Sequence, residues 1–390
     1  MSAKRPRTGP PGPPKATLEY EGTANFRARL VLSCLSARPV RIRAIRPDDE
    51  SPGLSSFEAS FVRLLDKLTN GTHVEINETG TQIYFRPGLI VGGAVEHDCG
   101  GSSPGARSAG WFLEGIAPLG AFAKKPIHLK LDNCVTNDAT DPSVDSFKEM
   151  VLPVLRRFGV GGDAETAATL DMIVKRRGAL PGGGGLVEFR CMPVRALRPI
   201  DWTDPGLVKR VRGVAYATKV SPQVANRQVT AARGVFNSLL PDVYVFTDVY
   251  SGKTSGNSPG FGILLTTEST TGSQVSGEAC AEGPGLPEDV AKVAASRLLD
   301  EVLEGGCVDS THQVSTELRA PSRERSAMSA EPQALSHEQR AWSLHRAKSA
   351  DAGKQLELYA PFPAALVAFS GCPCSHFFLF FCCCEHDNDG

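Results

Sequence analysis

Charge of one sign is what this 390-residue chain lacks: 42 Lys and Arg stand against 43 Asp and Glu, a formal net charge of −1 at pH 7. That excludes a histone-like polycation and leaves room for local basic patches. Aromatic residues are scarce, at 7 %. The tryptophans Trp111, Trp202 and Trp342 are too few and too dispersed to indicate base stacking. The opening residues, MSAKRPRTGPPGPPKA, carry charge but no apolar run, so they do not read as a secretory signal. Without that context, Asn70-Gly71-Thr72 and Asn77-Glu78-Thr79 carry no weight as glycosylation sites. Of eleven cysteines, six (Cys34, Cys99, Cys134, Cys191, Cys280 and Cys307) are scattered singly, as reduced buried thiols are. The other five crowd into the last 19 residues with His386, without a Cys-x-x-Cys pair to make a zinc site. No uninterrupted stretch of about 20 apolar residues exists; Pro361, Pro363, Gly371, Pro373 and His376 break the apolar run near the end. A membrane anchor is therefore not expected.

What is present is a core and many turns. Apolar residues make up 41 %, and Gly and Pro together number 67. Residues 1–17 read as a disordered basic tail, in which Lys4, Arg5 and Arg7 suit either a nuclear import signal or a solvated end. From there to Gln313 strands and helices alternate. Val40–Ile45 alternates like a strand. Ser55 opens a helix with Phe57, Phe61, Leu64, Leu65 and Leu68 inward, and strands Thr72–Ile76 and Gln82–Phe85 close the unit. The pattern returns with strand Ile127–Leu131, helix Ser146–Phe158, and strands Leu170–Lys175 and Leu186–Phe189. A third helix, Pro287–Leu303, has no closing strands after it, which leaves Val290, Val293, Leu298 and Val302 without partners.

The expected fold is α/β (α+β): a large domain of repeated β-α-β-β units, residues 18–190 and 283–313 with the third unit incomplete, carrying an inserted small α+β domain at 191–282. Residues 314–390 read as a divergent, disordered tail.

The most specific motif is Arg177-Gly178-Ala179-Leu180-Pro181-Gly182-Gly183-Gly184-Gly185. Consecutive glycines allow backbone to approach backbone, or backbone to approach a phosphate. Both readings stay open here: a turn between strands, or a phosphate cradle fed by Lys175, Arg176 and Arg177. No Gly-Lys-Ser/Thr follows, so it is not a Walker loop. Two more basic clusters, Arg41, Arg43 and Arg46, and Lys209, Arg210 and Arg212, suit either a solvated face or contacts to RNA phosphates. Asp138, Asp141 and Asp145 suit either a Mg²⁺-binding cluster or a capped helix entry. The adjacent residues Glu96, His97, Asp98 and Cys99 cannot all face one ion, and no metal is expected.

The spacing Arg-Gly-x-x-Pro-x-Gly-Gly-Gly resembles the signature of the RNA 3′-terminal phosphate cyclase family, with Arg177, Gly178, Pro181, Gly183, Gly184 and Gly185 in its places. Ile45-Arg46 with Ser51–Leu54, Phe85–Gly88 with Gly92-Gly93, and Thr136–Asp138 with Asp141–Asp145 resemble other loops of that family, over about residues 18–313. The resemblance implies a large domain of repeated α/β units with a small inserted domain. Two departures matter. The enzymes carry Glu-Gly-Gly-Gly-Gln near the N-terminus where this chain reads Glu21-Gly22-Thr23-Ala24-Asn25-Phe26-Arg27. The family's nucleophilic histidine lies in a segment here replaced, and His312, His337, His345, His376 and His386 have no family context. The blocks Val95–Cys99 and Gly305–Thr311 resemble the family's non-catalytic branch. That implies a nuclear, nucleolar factor of early pre-rRNA processing toward 18S rRNA. It would act with the small-subunit processome and a ribosome-assembly GTPase, without cofactor or catalytic residue. The alternatives are an ATP-dependent RNA 3′-terminal phosphate cyclase and a pre-rRNA endonuclease.

Overall fold

The computed structural model describes residues 16–161, 170–198, 200, 202, 204–283 and 285–313. The expected basic tail up to Lys15, and everything from Val314 onward, including four of the five histidines just named and the cysteine cluster, lie outside the described residues. The chain divides into two compact units: residues 16–198 with 250–260, and residues 200–249 with 261–313. Among the described residues no helix is long and apolar enough to cross a membrane.

The first unit contains one topology twice. Its first copy runs β1 (Leu18–Glu21), α1 (Phe26–Ser36), β2 (Val40–Arg43), α2 (Ser56–Leu68), then, after the short β3 (Thr69–Asn70), β4 (His73–Ile76) and β5 (Ile83–Arg86). The short β6 (Leu89–Ile90) pairs with β3. The second copy runs β7 (Gly93–Asp98), α3 (Ala109–Ala121), β8 (Ile127–Cys134), a helical stretch α4 (Val144–Ser146) to α5 (Leu152–Arg157), β9 (Leu170–Arg176) and β10 (Gly185–Cys191). Between α4 and α5 the helix widens over Phe147–Val151, ahead of Pro153, which has no N–H to give the carbonyl four residues back. The sheet orders are β1-β2-β5-β4 and β7-β8-β10-β9. In each, the first pair is parallel (Leu18 opposite Val40; Gly93 opposite Ile127) and the rest antiparallel.

The repeat is thus β-α-β-α-β-β, one strand and one helix longer than the sequence pattern suggests. The missed helix α3 explains why: 11 of its 13 residues are buried, so it is apolar all round and shows no 3.6-residue stripe. Helix α2 has that stripe. Phe61, Leu64, Leu65 and Leu68 are fully buried, and Ser55 with Glu58 forms a capping box at its start. Phe57 and Phe61 meet Trp111 of α3 edge-on at 5.1 and 5.2 Å, tying the two copies together.

The second unit is a four-stranded sheet in the order β12-β11-β13-β14, formed by β11 (Val208–Thr218), β12 (Val243–Tyr250), β13 (Gly260–Ser269) and β14 (Gln274–Cys280). Helices α6 (Pro222–Phe236) and α7 (Pro287–Glu304) pack on one face, over Val211, Ala215, Val243, Val245, Ile263 and Leu265; the short α8 (Ser310–Gln313) follows. Here the structure corrects the sequence reading. The helix of Pro287–Leu303 does not stand as an unpartnered piece of a third repeat. It lies on β14 with Ala291, Ala294, Ala295 and Leu298 buried and Val290 and Val302 packed against them, while Val293 faces out. The approach is close: a Cβ on Gly277 would stand 2.4 Å from the Leu298 nitrogen. Small residues on both sides let helix backbone touch strand backbone. The closing strands precede α7 in the chain instead of following it.

Candidate functional site

The glycine loop joins β9 to β10 and is held from several sides. Gly178 O accepts from the Thr136 N–H and hydroxyl, both at 2.9 Å. Gly182 N–H donates to Ser258 Oγ at 2.9 Å, and Gly182 O accepts from Ser102 Oγ and Asn257 Nδ2. Asn257 N–H donates to Gly183 O at 2.9 Å, and Arg176 donates to Gly184 O. The lack of Cβ atoms is used up by these neighbours. A Cβ on Gly178 would lie 2.3 Å from Cys134 O, and one on Gly183 (φ 57°) would lie 2.7 Å from the Gly101 carbonyl. Of the two readings of the glycine run, the structure displays backbone approaching backbone.

Arg177 is 1 % exposed and does not reach outward. Its guanidinium makes a two-pronged ion pair with Asp145 at 2.6 and 2.8 Å, donates to Asn137 Oδ1 at 3.3 Å and lies over the Tyr250 ring at 5.3 Å. Its main chain binds Thr254 O and the Gly256 N–H. The acidic trio is engaged likewise. Asp138 accepts three backbone N–H groups, from Ser108, Thr140 and Asp141; burial first, then the charge of Asp141, raises its pKa. Asp141 takes both prongs of Arg107 at 2.5 Å, and Asp145 holds Arg177. Each carboxylate fixes a loop end or an arginine, and among the described residues no group of three His, Cys, Asp or Glu is placed to hold a metal ion.

The other basic residues are distributed over three strands and mostly paired. Arg41 and Arg43 reach Glu19 at 3.4 and 3.3 Å, and Arg41 also lies over Tyr84. Arg46 pairs with the buried Glu58 and donates to Gly53 O at 3.0 Å, which pins the turn before α2. Lys175 faces Glu188 at 3.7 Å, and Arg176 meets Asp132 at 2.8 Å. In the second unit Arg210 pairs with Glu268 at 2.7 Å, Arg212 grips Asp242 with two 2.8 Å bonds, and Lys209 is exposed. Exposed pairs of this sort contribute little to stability and open readily to another anion.

The segment Glu21–Arg27 is a β1–α1 connection. Gly22 and Asn25 adopt positive φ, and Arg27 turns inward to donate to Trp111 O at 2.5 Å and Glu114 at 2.7 Å. Two histidines are buried. His97 Nε2 and the Ser60 hydroxyl share a hydrogen bond at 2.8 Å; burial, then the charge of Lys67, pushes the His97 pKa down to about 4. His312 sits against Asp309 at 2.5 Å, and the same carboxylate accepts the Ser276 hydroxyl at 2.6 Å. Burial pushes the Asp309 pKa up, but these partners pull harder and the net shift is down. This trio clips α8 to β14.

The family profile for RNA 3′-terminal phosphate cyclase matches residues 18–344. The chain belongs to that family. The match runs beyond Gln313, into residues the sequence reading assigns to the divergent tail. Similar curated proteins include the human RNA 3′-terminal phosphate cyclase-like protein, 49 % identical over 302 residues, covering 76 % of this chain and 78 % of its own. A Drosophila melanogaster relative named as a probable protein of the same kind is 45 % identical over 304 residues, 76 % and 77 % of the two chains. The rRNA processing protein rcl1 of Schizosaccharomyces pombe is 44 % identical over 299 residues, 76 % and 79 % of the two chains.

Within this family fold, one pair of exposed residues escaped the sequence reading. Tyr244 and Phe246, on the outer strand β12, are each 54 % exposed, with ring centroids 4.5 Å apart. The signal was there in Val243-Tyr-Val-Phe246: strict alternation with aromatics on the face opposite the buried valines.

Proposed function

We propose that this chain is a non-catalytic factor of rRNA processing that acts in the nucleolus, in the early steps leading to 18S rRNA. It would work within the small-subunit processome beside a ribosome-assembly GTPase. The single observation that carries the reading is the likeness, at 44–49 % identity over three quarters of the chain, to proteins named cyclase-like and, in fission yeast, an rRNA processing protein. The geometry supports the non-catalytic part. The signature arginine, Arg177, is spent on Asp145, and the glycine loop is filled by its neighbours. Arg27, just past the altered stretch Glu21–Asn25, points into the fold. None of these groups is left facing a nucleotide. Asp138, Asp141 and Asp145 are held by backbone amides and arginines, so no observation favours an endonuclease centre.

The test is complementation. In cells depleted of the endogenous relative, this chain should restore mature 18S rRNA, and a purified sample given ATP, Mg²⁺ and RNA with a 3′-phosphate should form no 2′,3′-cyclic end. Cyclic product, or precursors to 18S rRNA that stay uncut despite expression, would overturn the reading.

A further inference from the structure

The second unit has a sheet with two unlike faces. One is covered by α6 and α7. On the other, Tyr216, Leu264 and Ser276 are buried, but the half made by β12 and the start of β11 lies open. The Val211 N–H donates to Asp242 O at 3.0 Å, which sets the start of β11 beside the start of β12. Val211, Val243 and Val245 point to the helices. By alternation Arg210, Arg212, Tyr244 and Phe246 share the opposite face.

We infer that this face binds single-stranded RNA by stacking bases on Tyr244 and Phe246, with Arg210, Arg212 and Lys209 meeting the phosphates. The inference deepens the rRNA-processing reading and rests on it for the choice of nucleic acid. Four features carry it. The two rings are bare, each more than half exposed, and bare rings have a face to offer any base. They stand at 76° to one another, so their free faces look in different directions and two bases reach them only after unstacking. That selects single strands over duplex. The neighbouring cations are aligned at the surface: Asp242 holds the Arg212 fork and Glu268 the Arg210 fork, both pairs partly exposed and exchangeable for phosphate. Finally, two rings bordered by charge make too small an apolar patch for the core of a stable protein interface, which buries about 800 Å² per partner.

The open face of β7–β10 carries ion pairs of the same kind but, among the described residues, no exposed Tyr, Phe or Trp. It is laced by Glu96–Lys130, Lys175–Glu188 and Arg176–Asp132 pairs. Phe189 of β10 lies on the other face, fully buried against Phe147.

The experiment is fluorescence anisotropy of a short labelled oligouridylate with the full chain, beside a labelled duplex of the same length. The single strand should bind more tightly. Tyr244→Ala with Phe246→Ala should weaken it roughly five- to hundredfold per lost stack. Phe246→Trp should keep the affinity, and Phe246→Leu, which keeps the apolar surface and removes the ring, should lose it. Arg212→Gln should weaken binding and flatten its salt dependence. A folded double alanine that binds like wild type, equal affinity for duplex, or no RNA binding by wild type each overturns the inference; none of them touches the 18S readout that tests the function itself. Loss of self-association or of a co-purifying protein, with RNA affinity unchanged, overturns it in favour of a protein contact.

Discussion

Around the glycine loop polar groups face one another; along β12 two aromatic rings face solvent. The loop's carbonyls take Thr136, Ser102 and Asn257, and its arginine takes Asp145. Those carbonyls and the arginine's two terminal nitrogens can meet a ligand only by first breaking bonds already made. On the β12 face the groups that matter are either uncovered rings or surface ion pairs that exchange at little cost. The difference teaches that a fold spends its glycines where chains cross and leaves its binding capacity where its own hydrogen bonding and packing stop.

The contrast can be broken at its closed end first. Arg177→Ala would leave Asp145, 7 % exposed, as an uncompensated buried charge. A loss of about 3–5 kcal/mol in urea unfolding is expected. Replacing both partners together by apolar residues of similar volume should recover much of it. A near-neutral Arg177→Ala would mean the arginine is free for a ligand.

His97 sharpens the same end through pH. Its folded pKa is pushed down from 6.5 to about 4, so between those values the unfolded chain binds more protons than the folded one. Stability is therefore fully present above about pH 6.5 and is lost as pH falls through 4, by roughly 3 kcal/mol in all. His97→Gln should flatten this part of the stability profile.

A Cβ at Gly183 meets both a positive φ and the Gly101 backbone, so Gly183→Ala should cost about 2 kcal/mol or more in a thermal or urea melt. At the open end the expected effect on stability is smallest. Tyr244→Ala with Phe246→Ala should shift unfolding by less than about 1 kcal/mol, because surface side chains outside the core carry little of it.

Much of the fold was legible because its signals are periodic. Helix α2 shows its stripe, β2, β8 and β12 alternate, and Ser55 announces a helix start. What stayed hidden has physical causes. Helix α3 is apolar on every side and carries Gly110, Gly115, Pro118 and Gly120, so it looks like a turn-rich core segment. The partner of α7 could not be read because a helix stripe says that it packs and not on which sheet. At the site, Arg177 and the aspartates carry the residue types of chemistry, and only the pairing Arg177–Asp145, 32 positions apart, reveals their structural use. The aromatics of β12 leave no trace in a count of tryptophans, whereas tyrosine and phenylalanine stack bases as well.

The central claim is that RNA meets β12 and not the glycine loop. Ultraviolet crosslinking of single-stranded RNA to the full chain, followed by peptide mapping, tests it in one measurement. Crosslinks concentrated on the peptide containing Tyr244 and Phe246 are predicted; crosslinks concentrated on residues 176–185 or 254–258, with β12 unmarked, would contradict it.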